Sequence, residues 1–88
     1  MNQLLNIGFD NVLFTARIVA LLSPHSAPVK RLIQQAKKNN TLINAGAGRK
    51  TRAVIVMDTG EIFLAGIGVA TLSQRLTGQA VIVEDKAT

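Results

Sequence analysis

Apolar residues recur along this chain in short blocks, and glycine, proline and asparagine separate the blocks. Leu4 to Gly8 and Val12 to Phe14 read as short strands around a turn at Gly8 and Asp10-Asn11. Arg17 to Leu22 reads as a longer strand, and its run Ile18-Val19-Ala20-Leu21-Leu22 is apolar on both faces. The segment Ser23-Pro24-His25-Ser26-Ala27-Pro28 then prepares a helix. Ser26 is suited to cap it, and Pro28 fits its first turn, where a missing N–H costs nothing. The spacing predicts a helix from about Ala27 to Lys38. Val29, Leu32, Ile33 and Ala36 fall on one stripe, and Lys30, Arg31, Gln34, Lys37 and Lys38 occupy the other side. Asn39-Asn40 ends it, and two lysines in the last turn complement the helix dipole.

The second half returns to strands. Thr41 to Ala45 reads as a strand, Gly46-Ala47-Gly48-Arg49-Lys50-Thr51 as a loop, and Arg52 to Met57 as a buried strand. Asp58-Thr59-Gly60 supplies a tight turn with a glycine where φ is positive, and Glu61 to Ile67 is the second arm of that hairpin. A short last helix over Val69 to Leu76 places Val69, Leu72 and Leu76 on one face. The expected organisation is one domain over residues 1–76, with a tail from Thr77 to Thr88 that frays. The fold class is α+β: a small single domain with a mainly antiparallel sheet, one long helix and one short C-terminal helix. Strands apolar on both faces need cover on both sides, which two helices barely give.

Composition sharpens that last point. The chain has 88 residues, room for one core and no more, and no cysteine to staple it. Yet 48% of it is hydrophobic and its mean hydropathy is +0.29, apolar for so small a domain. Subunit association is the simplest source of the missing cover. Met1-Asn2-Gln3-Leu4-Leu5 lacks the basic start of a signal peptide. The longest uncharged apolar-leaning segment, Ile62 to Gln74, falls short of the roughly 18 residues that span a bilayer. A soluble, cytoplasmic protein with no membrane partner is expected.

Charge is uneven. The net charge is +5, and all five acids lie at Asp10, Asp58, Glu61, Glu84 and Asp85. The segment from Asn11 to Met57 therefore holds Arg17, Lys30, Arg31, Lys37, Lys38, Arg49, Lys50 and Arg52 without one anion. Such a field extends into solvent rather than closing into salt bridges, and it favours polyanionic partners, nucleic acid or anionic membrane, over a merely solubilising role.

Catalytic and cofactor chemistry finds little footing. Gly46 to Thr51 has neither the phosphate-loop spacing, since Arg49 separates Gly48 from Lys50-Thr51, nor the third glycine of a dinucleotide fingerprint. His25 is the one histidine and has no cysteine or nearby carboxylate, so no metal site and no nucleophile-base pair is expected, and no cofactor. What remains is Arg49, Lys50 and Arg52 on a glycine-containing loop. Its glycines allow close approach, and its cations provide charge-assisted bonds to phosphate oxygens. Phe9, Phe14 and Phe63 sit in apolar contexts that suggest core, and Trp and Tyr are absent. Single-strand recognition, which uses aromatic stacking platforms, is disfavoured against binding along a duplex backbone.

Asn6-Ile7-Gly8-Phe9, Asn11, Arg17, Ser23-Pro24, Ser26-Ala27-Pro28-Val29-Lys30-Arg31-Leu32-Ile33, Gly48-Arg49-Lys50-Thr51-Arg52-Ala53-Val54 and Met57-Asp58 occur in an order and spacing that resembles the RemA family of bacterial extracellular-matrix regulators, over roughly Leu5 to Leu76. The resemblance implies a double-stranded-DNA-binding transcription factor, a ring-shaped homo-oligomer that activates biofilm-matrix operons by wrapping DNA around its rim and so associates with the nucleoid. By position, Arg17, Arg49 and Lys50 match the family's DNA-contacting residues, and Arg52 joins them as an adjacent cation. His25 stands where the family typically has Glu, and Gly46-Ala47 where it usually has Thr-Tyr; the latter change removes bulk and rigidity beside the proposed contact, so a shifted DNA affinity or sequence preference is expected. The alternative is a nucleoid-associated, RNA-binding or general polyanion-binding structural module.

Overall fold

A computed structural model describes residues 3–77 of the chain. The elements are β1 (Leu4–Gly8), β2 (Asn11–Phe14), a short 3-10 turn (Thr15–Arg17), β3 (Ile18–Leu22), α1 (Ala27–Lys38), β4 (Leu42–Asn44), β5 (Ala53–Met57), β6 (Ile62–Ala65) and α2 (Val69–Thr77). Each expected element is present, with ends displaced by a residue or two. Arg17 belongs to the turn before β3 rather than to the strand, and Thr77 closes α2. The rest of the expected tail, 78–88, lies outside the described residues.

β1 and β2 form a hairpin of their own, and the other four strands form a sheet in the order β3-β5-β6-β4. β3 with β5 and β5 with β6 are antiparallel, whereas β4 runs parallel to β6. The parallel pair follows from the connection. α1 carries the chain from β3 at one edge of the sheet to β4 at the other, and a crossover of this kind joins strands of like direction.

β5 explains the layering. Its side chains alternate between two cores: Ala53, Ile55 and Met57 belong to one, Val54 and Val56 to the other. β6 follows suit, with Phe63 and Ala65 on the first side and Ile62 and Leu64 on the second. α1 covers the second side with Val29, Leu32, Ile33 and Ala36, the stripe expected from spacing. The first side is covered by α2, through Val69, Leu72 and Leu76, and by the hairpin, through Leu5, Ile7 and Leu13. The central sheet thus has cover on both faces from within the chain, because the hairpin serves as a third covering element.

Covering the sheet leaves the hairpin's own back bare. Cross-strand pairing sets Leu4 opposite Phe14 and Asn6 opposite Val12, on the face away from the core. Leu4, Val12 and Phe14 are exposed there, Phe14 to 67%. The apolar context of Phe14 suggests core, and the alternation of β2 corrects this: Leu13 points in, so Phe14 points out. Phe9 is also exposed, because it lies in the hairpin turn with φ +52°. Phe63 alone of the three packs against the core.

α1 is closed at both ends as its sequence anticipates. Ser26 Oγ accepts from Val29 N at 3.3 Å. At the C-terminus Asn40 takes φ +58°, and Asn40 N and Thr41 N donate to Lys37 O and Ala36 O, a Schellman motif. Burial of Ile55 and the Ser26 cap differ in worth. Ile55→Ala is expected to destabilise by ~2–5 kcal/mol. Ser26→Ala is expected to cost about 1 kcal/mol. Urea titration at unchanged m-value measures both, and equal midpoints for the two variants would contradict this layering.

Candidate nucleic-acid interface

The loop between β4 and β5 is fastened at both ends to the end of β6. Ala45 N donates to Leu64 O at 2.9 Å, and Arg52 N donates to Ala65 O at 2.8 Å. Between these anchors Gly46 N donates to Asn44 Oδ1 at 2.9 Å, and Arg49 N donates to Gly46 O at 2.9 Å to close a turn. Its two central residues, Ala47 at φ +52° and Gly48 at φ +82°, both have positive φ, as a type I′ turn requires. Arg49, Lys50 and Arg52 leave this fastened loop exposed, and none forms an ion pair with a described residue.

Strand directions decide what lies near. Leu22 pairs with Val54, and Ala65 with Ala53, so the C-terminal ends of β3, β4 and β6 lie at one end of the sheet with the start of β5. The loop, His25 and the start of α1 share this end, and the exposed Lys30 and Arg31 lie in the first half of that helix. Lys37 and Lys38 lie a helix length away, about 15 Å. The opposite end of the sheet carries the turn Asp58-Thr59-Gly60, with Gly60 at φ +99° as expected, and the acids Asp58 and Glu61.

Arg17 lies at that opposite end. Its carbonyl accepts from Asp58 N at 2.8 Å, and its guanidinium meets Asp58 Oδ2 at 3.3 Å. Arg52 and Asp58 are separated by the length of β5, about 20 Å at the usual strand rise. Within the chain, therefore, Arg49, Lys50 and Arg52 come together and Arg17 stands apart. The expectation that the acid-free segment closes no salt bridge is corrected at this residue. Antiparallel pairing of Ile18 with Met57 draws in an acid from beyond the segment. The pair is open to water, with Arg17 63% exposed, and such pairs contribute roughly 0–1 kcal/mol.

Phe9 is the neighbour that spacing gave no sign of. The Arg49 guanidinium carbon lies 5.4 Å from the centroid of its ring. Both line a shallow recess with Ile7, Gly8, Gly66 and Ile67. Gly66 makes room for the arginine stem: a Cβ there would stand 3.3 Å from Arg49 Cβ. Among the described residues no three metal-ligating side chains converge, and no helix is long and apolar enough to cross a membrane.

These features define a small basic α+β protein that presents a fastened cationic loop at one end of its sheet. The family model described as extracellular matrix regulatory protein A-like, RemA-like, matches residues 4–76. A relative from Bacillus cereus strain AH187 is 46% identical over 83 residues, covering 94% of this chain and 95% of its own length. One from Thermoanaerobacter sp. strain X514 is 47% identical over 83 residues, covering 94% and 86%. One from Bacillus mycoides strain KBAB4 is 46% identical over 83 residues, covering 94% and 95%. All three carry names that assign them, by inference, a regulatory role. The chain belongs to the RemA-like family, and the family and its relatives indicate a regulatory protein rather than an enzyme.

The turn that shapes the loop is testable through stability. A Cβ at Gly48 would meet nothing within 4 Å, so its cost is that of the backbone alone. Gly48→Ala is expected to destabilise by about 1 kcal/mol, and Ala47→Gly, which relieves a strained alanine, to stabilise by a smaller amount. Denaturant midpoints of the two variants moving in the same direction would contradict the turn.

Proposed function

We propose that this protein is a double-stranded-DNA-binding transcriptional regulator, of the biofilm-matrix activator type, that grips the DNA backbone through several protomers at once. The observation that carries this reading is the fastened loop whose Arg49, Lys50 and Arg52 face solvent without an acidic partner among the described residues. Its anchoring to β6 lowers the entropy lost when phosphate oxygens accept from those cations. Arg17 reaches the same DNA only where assembly sets one protomer's Asp58 end beside a neighbour's loop.

Assembly is the second half of the proposal. Polycations repel one another, so association belongs on surface without cations. The hairpin's outer face, with Leu4, Asn6, Val12 and Phe14, carries no charge. The sheet's two edges are unlike each other: β3 exposes Val19 to 65% and β4 exposes Ile43. Contacts between unlike surfaces propagate head to tail, and they close into a ring when the rotation allows.

Light scattering is expected to return several times 9.4 kDa for the parent at micromolar concentration. Phe14→Glu, on a side chain mostly in water already, lowers that mass without unfolding the chain. A parent of 9.4 kDa overturns the assembly.

Titration of duplex DNA, RNA and anionic vesicles at matched salt tests the partner. Three phosphate contacts per protomer give a log–log salt slope near −2.7, a ~40-fold loss between 50 and 200 mM, and linked protomers steepen it. Comparable binding to all three partners would favour a general polyanion module. Arg49→Ala or Lys50→Ala is expected to remove most duplex binding, and Lys37→Ala with Lys38→Ala much less, because those lysines lie at the far end of α1. Equal losses in fluorescence anisotropy would mean that net charge alone is read.

A further inference from the structure

Phe9 is out of place for a phenylalanine. It is half-exposed, and its backbone sits at φ +52°, a region that bulky side chains rarely adopt, as the first central residue of the two-residue turn between β1 and β2. Its ring lies outside the core clusters, yet it lies against the head of Arg49, whose stem runs beside Gly66. The Gly66 backbone leaves room for Arg49, where an added Cβ would come within 3.3 Å of Arg49 Cβ and 3.7 Å of Cδ. Among the described residues neither Lys50 nor Arg52 has such a ring.

We propose that Phe9 is a positioning residue for DNA binding: it holds the Arg49 guanidinium in one place before DNA arrives, so that Arg49 is the loop's pre-set contact and Lys50 and Arg52 its adaptable ones. This rests on the duplex-DNA reading above. A long arginine side chain loses rotamer freedom on binding, and a partner that has already restricted it removes part of that loss. Guanidinium suits the task because it is planar and weakly hydrated, so it packs on an aromatic face and keeps N–H groups for phosphate oxygens. The hairpin turn thereby acts on the loop without touching DNA.

The test compares the full-length parent with Phe9→Ala, Phe9→Trp and Arg49→Ala on one duplex across a salt series, with assembly mass checked for each. Phe9→Ala is expected to weaken binding about two- to fivefold per engaged protomer, and Phe9→Trp to restore it. Because Phe9→Ala removes no cation, its salt slope stays at the parent value, whereas Arg49→Ala flattens the slope by about 0.9 per lost contact. In the free protein, the Arg49 Hε resonance is displaced by the ring current and returns to the ordinary arginine position in Phe9→Ala. Parent-like affinity in Phe9→Ala, loss in Phe9→Trp equal to that in Phe9→Ala, or an undisplaced Arg49 Hε in the parent overturns the proposal. A parent that binds no duplex overturns the DNA reading and the role of the pair with it, and the Arg49 resonance then reports separately on whether the stack exists.

Discussion

The two-sided burial of β5 is the constraint on which the rest depends. Ala53, Val54 and Ile55 are fully buried, on alternating faces, so neither side of this strand can be left to water. Burying side chains of this kind stabilises by roughly 1.5–3 kcal/mol each for Val and Ile. One helix closes one face. The other requires α2 and the hairpin together, and since a hairpin is only one strand thick, its far side becomes surface. Leu4, Val12 and Phe14 are exposed as the direct consequence of covering Ile55. Nothing further among the described residues is laid over them.

The same strand separates the charges. Loops at the two ends of β5 lie about 20 Å apart. One end receives Arg49, Lys50 and Arg52, together with Lys30 and Arg31 on the nearby start of α1. The other receives Asp58 and Glu61, together with Arg17, which pairs with Asp58, and the Lys37-Lys38 end of α1. The loop end therefore gathers five cations, with Asp10 of the hairpin turn next in sequence to Phe9, and the other end is more balanced. Screening at physiological salt, with a Debye length of about 8 Å, keeps the two ends electrically distinct.

Much of this was legible in the sequence because local chemistry dictated it. Ser26 and Pro28 mark the start of α1, Asn39-Asn40 its end, and Asp58-Thr59-Gly60 the hairpin, since each is a backbone requirement met by particular residue types. The pairing of strands was less legible. Nothing in the run Leu42 to Asn44 distinguishes a strand parallel to β6 from an antiparallel one, because that choice is made by the path of α1 over the sheet. Phe9 and Phe14 lie outside the core for a related reason: one residue of register decides whether an apolar side chain points in or out, and a turn with positive φ moves Phe9 out of the alternation altogether. In the site, Arg49, Lys50 and Arg52 were found from charge and glycine spacing. The Arg17–Asp58 pair and the Phe9–Arg49 contact join residues 41 and 40 positions apart, and only folding brings them together.

The central claim is that the β4–β5 loop end of the protomer, and not its basic surface at large, meets duplex DNA. Hydrogen exchange of the full-length protein with and without a saturating duplex tests it most directly, since it reads every segment in one experiment. The account predicts slowed exchange in Gly46 to Arg52, extending to the hairpin turn around Phe9, with the Lys37 to Asn40 end of α1 unchanged. Protection spread evenly over α1 and the loop, or confined to the Arg17–Asp58 end, would contradict it.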